Sequence, residues 1–192
     1  NTHTTMANSV LYDVNRTDVK NIVMLEHINI EIPSQPIASV FFCQGLRLTR
    51  DPYRRFSDHT MWINVGYQQF HLVTSATPQH VTGEVGLIVP DLKALEESLG
   101  TVGDKLAETQ FTWSKGKGDT YFGKDQAFLE VTGPWGTHFK IYDKSVIAFR
   151  GNLGIAYLEV YCSQGTASHI STYFKKHLGA DCIDNPGLVA VS

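Results

Sequence analysis

The sequence predicts an α+β fold built from two consecutive β-α-β-β-β units and the start of a further one. Two observations carry that expectation. Strand-length runs with period-two alternation are each followed by a helical run ending near a glycine, and this plan recurs along the chain without any outside alignment. At 192 residues and 42% hydrophobic, the chain is also long enough to bury a core.

The first unit opens with LEHINIEI, residues 25–32, a strand that sets His27, Asn29 and Glu31 on one face and Ile28, Ile30 and Ile32 on the other. Ser34 then supplies a cap and Pro36 a first-turn proline for the helix IASVFFCQ, closed by Gly45. LRLTR, HTMWINV and QQFHLVT follow as strands, separated by the polar RDPYRRFSD and a turn at Gly66. The second unit repeats the order. GEVGLIVP is its first strand, and Asp91 caps the helix DLKALEESLG, which has Leu92, Leu95 and Leu99 as its apolar face and Gly100 as its end. ETQFTW, DTYFG and the pair AFLEV and HFKIYD, joined by the turn TGPWGT, complete it. The third copy begins with GIAYLEVYC, takes Ser163 as cap, and continues as a helix with Ile170, Tyr173, Phe174 and Leu178 facing inward until Gly179. The expected organisation is an N-terminal extension over 1–21, a two-unit domain over 22–143, and a linker with a partial third unit over 144–192. Strands of an incomplete unit leave an unpaired edge or pair with another chain, so a homodimer or a place in a larger assembly is expected.

A formal net charge of −3 and 18% charged residues leave no basic face for nucleic acid, and no apolar run is long enough for a membrane span. Cys43, Cys162 and Cys182 are odd in number and lack any C-x-x-C spacing, which argues against a disulfide framework or a structural zinc site. Asn15-Arg16-Thr17 fits a glycosylation acceptor, a pattern short enough to recur by chance. A soluble protein of the cytoplasm or an organelle interior is therefore expected rather than a secreted one, with a small molecule as partner. No P-loop, G-x-S-x-G, H-E-x-x-H or dinucleotide fingerprint is present. Arg47, Arg50, Arg54 and Arg55 crowd the first loop, but Asp51 and Asp58 offset much of their charge, so a solvated loop or a partner surface is expected there, with phosphate recognition as the lesser alternative.

The opening strand LEHINIEI, the junction VGLIVPDL and the terminal hairpin GPWGTHFKIYD, in that order, resemble the vicinal oxygen chelate superfamily over residues 22 to about 143. That superfamily includes glyoxalase I, bleomycin-resistance proteins and extradiol dioxygenases. The resemblance implies that the paired units form one cup-shaped mixed sheet with helices outside, and that four equivalent inward positions hold a divalent metal. On that pattern His27 and His71 take the first two ligand positions, and Glu84, seven residues before Asp91, the third. The fourth falls on Lys140, where the pattern breaks, because an ammonium has three donors and no acceptor. Iron, manganese, zinc or nickel would suit two imidazoles and a carboxylate. Such an ion would hold two adjacent substrate oxygens for a lyase, isomerase or dioxygenase, with Glu84 or Glu31 as base. Asn29, Gln69, His138, Lys140 and Tyr142 would line the same pocket, and Tyr157 stands in the third unit where His27 and Glu84 stand in theirs. Two alternatives stay open: a solvated sheet face, and a metal-free module of the same fold that binds a small molecule or serves as a structural subunit.

Overall fold

The computed structural model describes residues 22, 24–52, 59–119, 123–146, 151–185 and 188–191. The expected extension over 1–21 and the loop residues Arg54, Arg55 and Asp58 lie outside these. Cα proximity divides the chain into two compact units, one spanning Leu25–Val160 and the other holding the residues from Tyr161 onward. No described helix is long and apolar enough to cross a membrane.

In the larger unit, strand β1 (His27–Ile32) leads into helix α1 (Gln35–Ala38), which continues as a π-helical segment, π1 (Ser39–Gly45). Strands β2 (Thr49–Arg50), β3 (Thr60–Val65) and β4 (Gln68–Thr74) complete a four-stranded sheet, sheet A, in the order β1-β4-β3-β2. β1 runs parallel to β4, and the other pairs are antiparallel. Strand β5 (Gly83–Val89), helix α2 (Leu92–Leu106) and strands β6 (Thr112–Asp119), β7 (Gly123–Thr132) and β8 (His138–Asp143) repeat that plan, again with the first strand parallel to the fourth. Strand β9 (Gly154–Val160) pairs antiparallel with β5, so sheet B reads β6-β7-β8-β5-β9. The fold is thus α+β, with the two β-α-β-β-β units expected from the repeat, laid out as two mixed sheets of four and five strands. Among the described residues no strand of sheet A pairs with a strand of sheet B.

Local chemistry sets the element ends, with three departures from the sequence reading. Ser34 Oγ accepts from the Ile37 N–H and Asp91 Oδ1 from the Ala94 N–H, as the caps require. Gly45, however, does not stop its helix by a left-handed turn. Its missing side chain admits Val102 of α2, and the positive φ falls on Arg47 at 58°. Gly100 does not end α2 either. Val102 and Leu106 prolong the apolar stripe of Leu95 and Leu99, and burying each offsets the roughly 1 kcal/mol that a mid-helix glycine costs. Helix α3 (Ala167–Leu178), in the smaller unit, has Thr166 rather than Ser163 at its N-cap position, without a side-chain capping bond, and the Ser163 carbonyl closes a turn with Thr166. Gly179 ends α3 at φ 67°, as expected.

The core of the larger unit forms where π1 meets both sheets. Phe41 and Phe42 of π1 stand against Phe139 of β8 at ring-centroid distances of 5.6 and 6.3 Å, and Phe42 lies 5.3 Å from Phe70 of β4. Ile28, Ile30 and Ile32 face this core, while His27, Asn29 and Glu31 face out. The smaller unit buries less. Ile170, Tyr173 and Leu178, expected to face inward, are 43%, 55% and 41% exposed, and Phe174 is half-buried. A helical apolar stripe is buried only where another element covers it. Here α3 is accompanied by the two-stranded hairpin of β10 (Cys182–Asn185) and β11 (Leu188–Val191), and Ser171 is its one buried residue.

One buried side chain ties the sheets of the larger unit together. Gln68, at the start of β4, accepts from the Ile155 N–H through Oε1 at 2.6 Å. Its Nε2 donates to the carbonyls of Ile155 and Leu25 at 3.0 and 2.7 Å. Gly66, in the turn just before it, has φ 67°, and the Leu153 carbonyl packs where a Cβ would stand. Replacing Gln68 by leucine therefore strands three backbone groups. At about 1–3 kcal/mol for each buried group left unpaired, the variant is expected to lose at least about 3 kcal/mol in urea unfolding, with faster hydrogen exchange at Ile155.

Candidate functional site

The residues singled out from the sequence fall into two groups, one on each sheet. On sheet A, the outward alternation of β1, β4 and β3 brings His27, His71 and Trp62 into one column of rings. His71 stands between the other two, 4.1 Å from each by ring centroids, with interplanar angles of 17° to His27 and 9° to Trp62. The register explains the column: Trp62 is the direct antiparallel partner of His71, and His27 is the parallel partner of Gln69 beside it. His71 Nε2 donates to Gln69 Oε1 at 3.0 Å. The Gln69 amide in turn donates to Asn64 Oδ1 at 2.8 Å and Asp51 Oδ2 at 3.1 Å. Nδ1 of His27 contacts the Glu26 carboxylate. Asn29 and Glu31 complete the face and are exposed.

On sheet B, β5, β8 and β9 bring Glu84, Lys140, Tyr142 and Tyr157 together. The Tyr157 hydroxyl donates to Glu84 Oε1 at 2.5 Å and lies 3.3 Å from the Tyr142 hydroxyl. Lys140 Nζ lies 3.9 Å from the same Glu84 oxygen and 4.7 Å from the centroid of the Phe128 ring. Glu84 and Lys140 are each 19% exposed at the side chain, so their pairing is only partly screened by water. Tyr157 fits because its ring lies over Gly86, where a Cβ would collide with it. Burial first, then the hydrogen bonds to Glu84 and Tyr142, push its phenol far above the ordinary tyrosine range. His138 shares this strand face but is exposed, with Thr132 Oγ1 at 3.3 Å from Nδ1.

The expected trio of His27, His71 and Glu84 is thus split between these two groups. Among the described residues no three histidine, cysteine, aspartate or glutamate side chains stand close enough to hold one ion. The donor chemistry agrees. A nitrogen lone pair lies in its ring plane, so two imidazoles stacked face to face cannot both aim at an ion about 2.0–2.1 Å away. Glu84 already takes a phenol and faces an ammonium. As arranged, these residues do not fit a divalent metal. Glu31 and Glu84, the two candidate bases, stand on different sheets.

Sequence reading missed Trp62 and Tyr157 as members of these clusters. Trp62 was legible: a two-residue turn at Gly66-Tyr67 pairs Val65 with Gln68, and the same register sets Trp62 opposite His71. Tyr157 was not, since nothing local tells that β9 lies beside β5. Because the folded protein holds the Tyr157 phenol protonated beyond the range in which an unfolded tyrosine ionises, near pH 10, this residue stabilises the fold below that pH. Its contribution is lost as pH rises further, so unfolding measured between pH 9 and 11 should decline more steeply in the parent than in Tyr157→Phe.

No family model matches the chain, and no curated protein does. Solved structures do. A provisionally assigned dioxygenase of Bacillus subtilis subsp. subtilis str. 168 matches with a TM-score of 0.56 at 12% identity, over 87% of this chain and 58% of its own. The chain thus spans somewhat more than half of that protein's length. A glyoxalase-related enzyme from Fulvimarina pelagi matches with a TM-score of 0.52 at 11% identity, over 71% of this chain and 99% of its own. A glyoxalase/bleomycin resistance protein/dioxygenase family enzyme from Burkholderia phytofirmans PsJN matches at 15% identity and a TM-score of 0.46, over 62% of this chain and 96% of its own. For the first two, at 11–12% identity, the likeness is one of fold: the chain has the glyoxalase/dioxygenase-type fold that its repeat and motifs resemble.

Proposed function

We propose that this chain, on its glyoxalase/dioxygenase-type fold, works as a metal-free domain that binds a small molecule. This departs from the metal-dependent lyase, isomerase or dioxygenase that the resemblance implies. One observation carries the reading: the Lys140 ammonium stands 3.9 Å from the carboxylate of Glu84, the position that the resemblance gives to a metal ligand. An internal cation there, with the Tyr157 hydroxyl on the same oxygen, satisfies the carboxylate that would otherwise attract an ion. His27, Asn29, Glu31, Gln69 and His71 remain on the outward face of sheet A as the groups that meet a ligand.

Metal analysis of protein purified without chelator tests this directly. The parent should carry well under one equivalent of iron, manganese, zinc or nickel, and the trace should not differ in His27→Ala or His71→Ala. One equivalent in the parent, lost in both variants, would overturn the reading. Lys140→Glu should gain no tight zinc binding in calorimetry, because the added carboxylate leaves the two imidazoles stacked on the other sheet.

A further inference from the structure

The ring column on sheet A has a chemistry of its own. Trp62 and Asn64 belong to β3, and Gln69 and His71 to β4, and the hydrogen bonds from His71 through Gln69 to Asn64 and Asp51 hold the middle ring in orientation. His27 ends the column. Its ring is stacked on His71 on one side, and its side chain is 42% exposed. Carboxylates stand at this end. Glu26 contacts the His27 ring, and Glu31 follows on the same face of the same strand. A stack of flat rings rimmed by carboxylates complements one kind of small molecule: a flat ring system that bears positive charge.

We infer that the ligand of this domain is a planar heteroaromatic cation, stacked on the outer face of His27 as a fourth ring of the column, with Asn29 and Glu31 along its edge. The inference rests on the metal-free binding reading above and adds the class of ligand. The flat face supplies contact area and specificity of shape, while the carboxylates supply the sign of charge.

Acridine orange, a flat cation, serves as probe, with tetraethylammonium as a cation that cannot stack. Fluorescence titration of the parent should show saturable one-to-one binding that tetraethylammonium does not displace. His27→Ala should weaken binding by about tenfold, the order expected for the loss of one ring stack. His27→Phe, which keeps a flat ring, should retain it, and Glu31→Gln should weaken it by roughly three- to tenfold, more so at low salt. Circular dichroism of each variant confirms that it is folded. Equal dye affinity in the parent and His27→Ala, or displacement by tetraethylammonium, overturns the inference. A parent free of metal that binds no dye overturns the ligand class alone, whereas a stoichiometric, histidine-dependent metal overturns the reading beneath it as well.

Discussion

The side chain of Gln68 fixes how the parts of the larger unit relate. Its amide does for Ile155 what a neighbouring strand would do, giving one donor and one acceptor to the same residue, and it spends its second N–H on Leu25 at the approach to β1. A buried amide with all three groups engaged has no competing arrangement of comparable energy, since every alternative leaves backbone groups unpaired away from water. The start of β9 is thereby set against the β3–β4 turn, where Gly66 leaves room for the Leu153 carbonyl. From that anchor the rest of β9 runs along β5, and Tyr157, two residues beyond Ile155, comes to lie over Gly86 and within reach of Glu84. The polar cluster of sheet B is thus a consequence of an interaction made from sheet A.

The two sheets divide the chemistry between them. Sheet A presents flat rings and neutral amides to the outside, with its order set by strand register and by hydrogen bonds among side chains. Sheet B gathers a phenol pair, a carboxylate and an ammonium, flanked by Phe128 and by the buried Ile88 and Ala156. In a partly dry setting a carboxylate needs a positive partner or donors of its own, and here Lys140 and Tyr157 supply both from within the fold. Histidine and glutamate positions that the resemblance would join around one ion are consequently occupied with different partners, and a likeness of fold at 11–12% identity leaves room for that difference.

Much of this was legible in the residues. The alternation of HINIEI places its isoleucines in the core and its polar residues outside, as observed. The glycine reading was weaker. Gly45 and Gly100 look like helix stops in isolation, yet one is a packing contact with Val102 and the other lies inside α2, because the burial of Val102 and Leu106 outweighs the local preference. The stripe of Ile170, Tyr173 and Leu178 is helical as its spacing indicates, but spacing says only that one face is apolar, not that anything covers it. For the candidate site, the register of β3 and β4 follows from their turn, so the pairing of Trp62 with His71 was within reach of the sequence.

By itself, then, the sequence determined what depends on neighbours along the chain: the order of elements, the faces of the strands, the caps at Ser34 and Asp91 and the left-handed end at Gly179. The tertiary structure decided which strand edges meet, that β9 joins β5, that His27 stacks on His71, and that Glu84 takes Lys140 and Tyr157 as its partners. The reason is physical. Caps and alternation arise from interactions within a few residues, whereas a side-chain contact across 73 positions, as between Glu84 and Tyr157, depends on strand pairing that is chosen by the competition of every exposed edge for a partner, and no local pattern encodes its outcome.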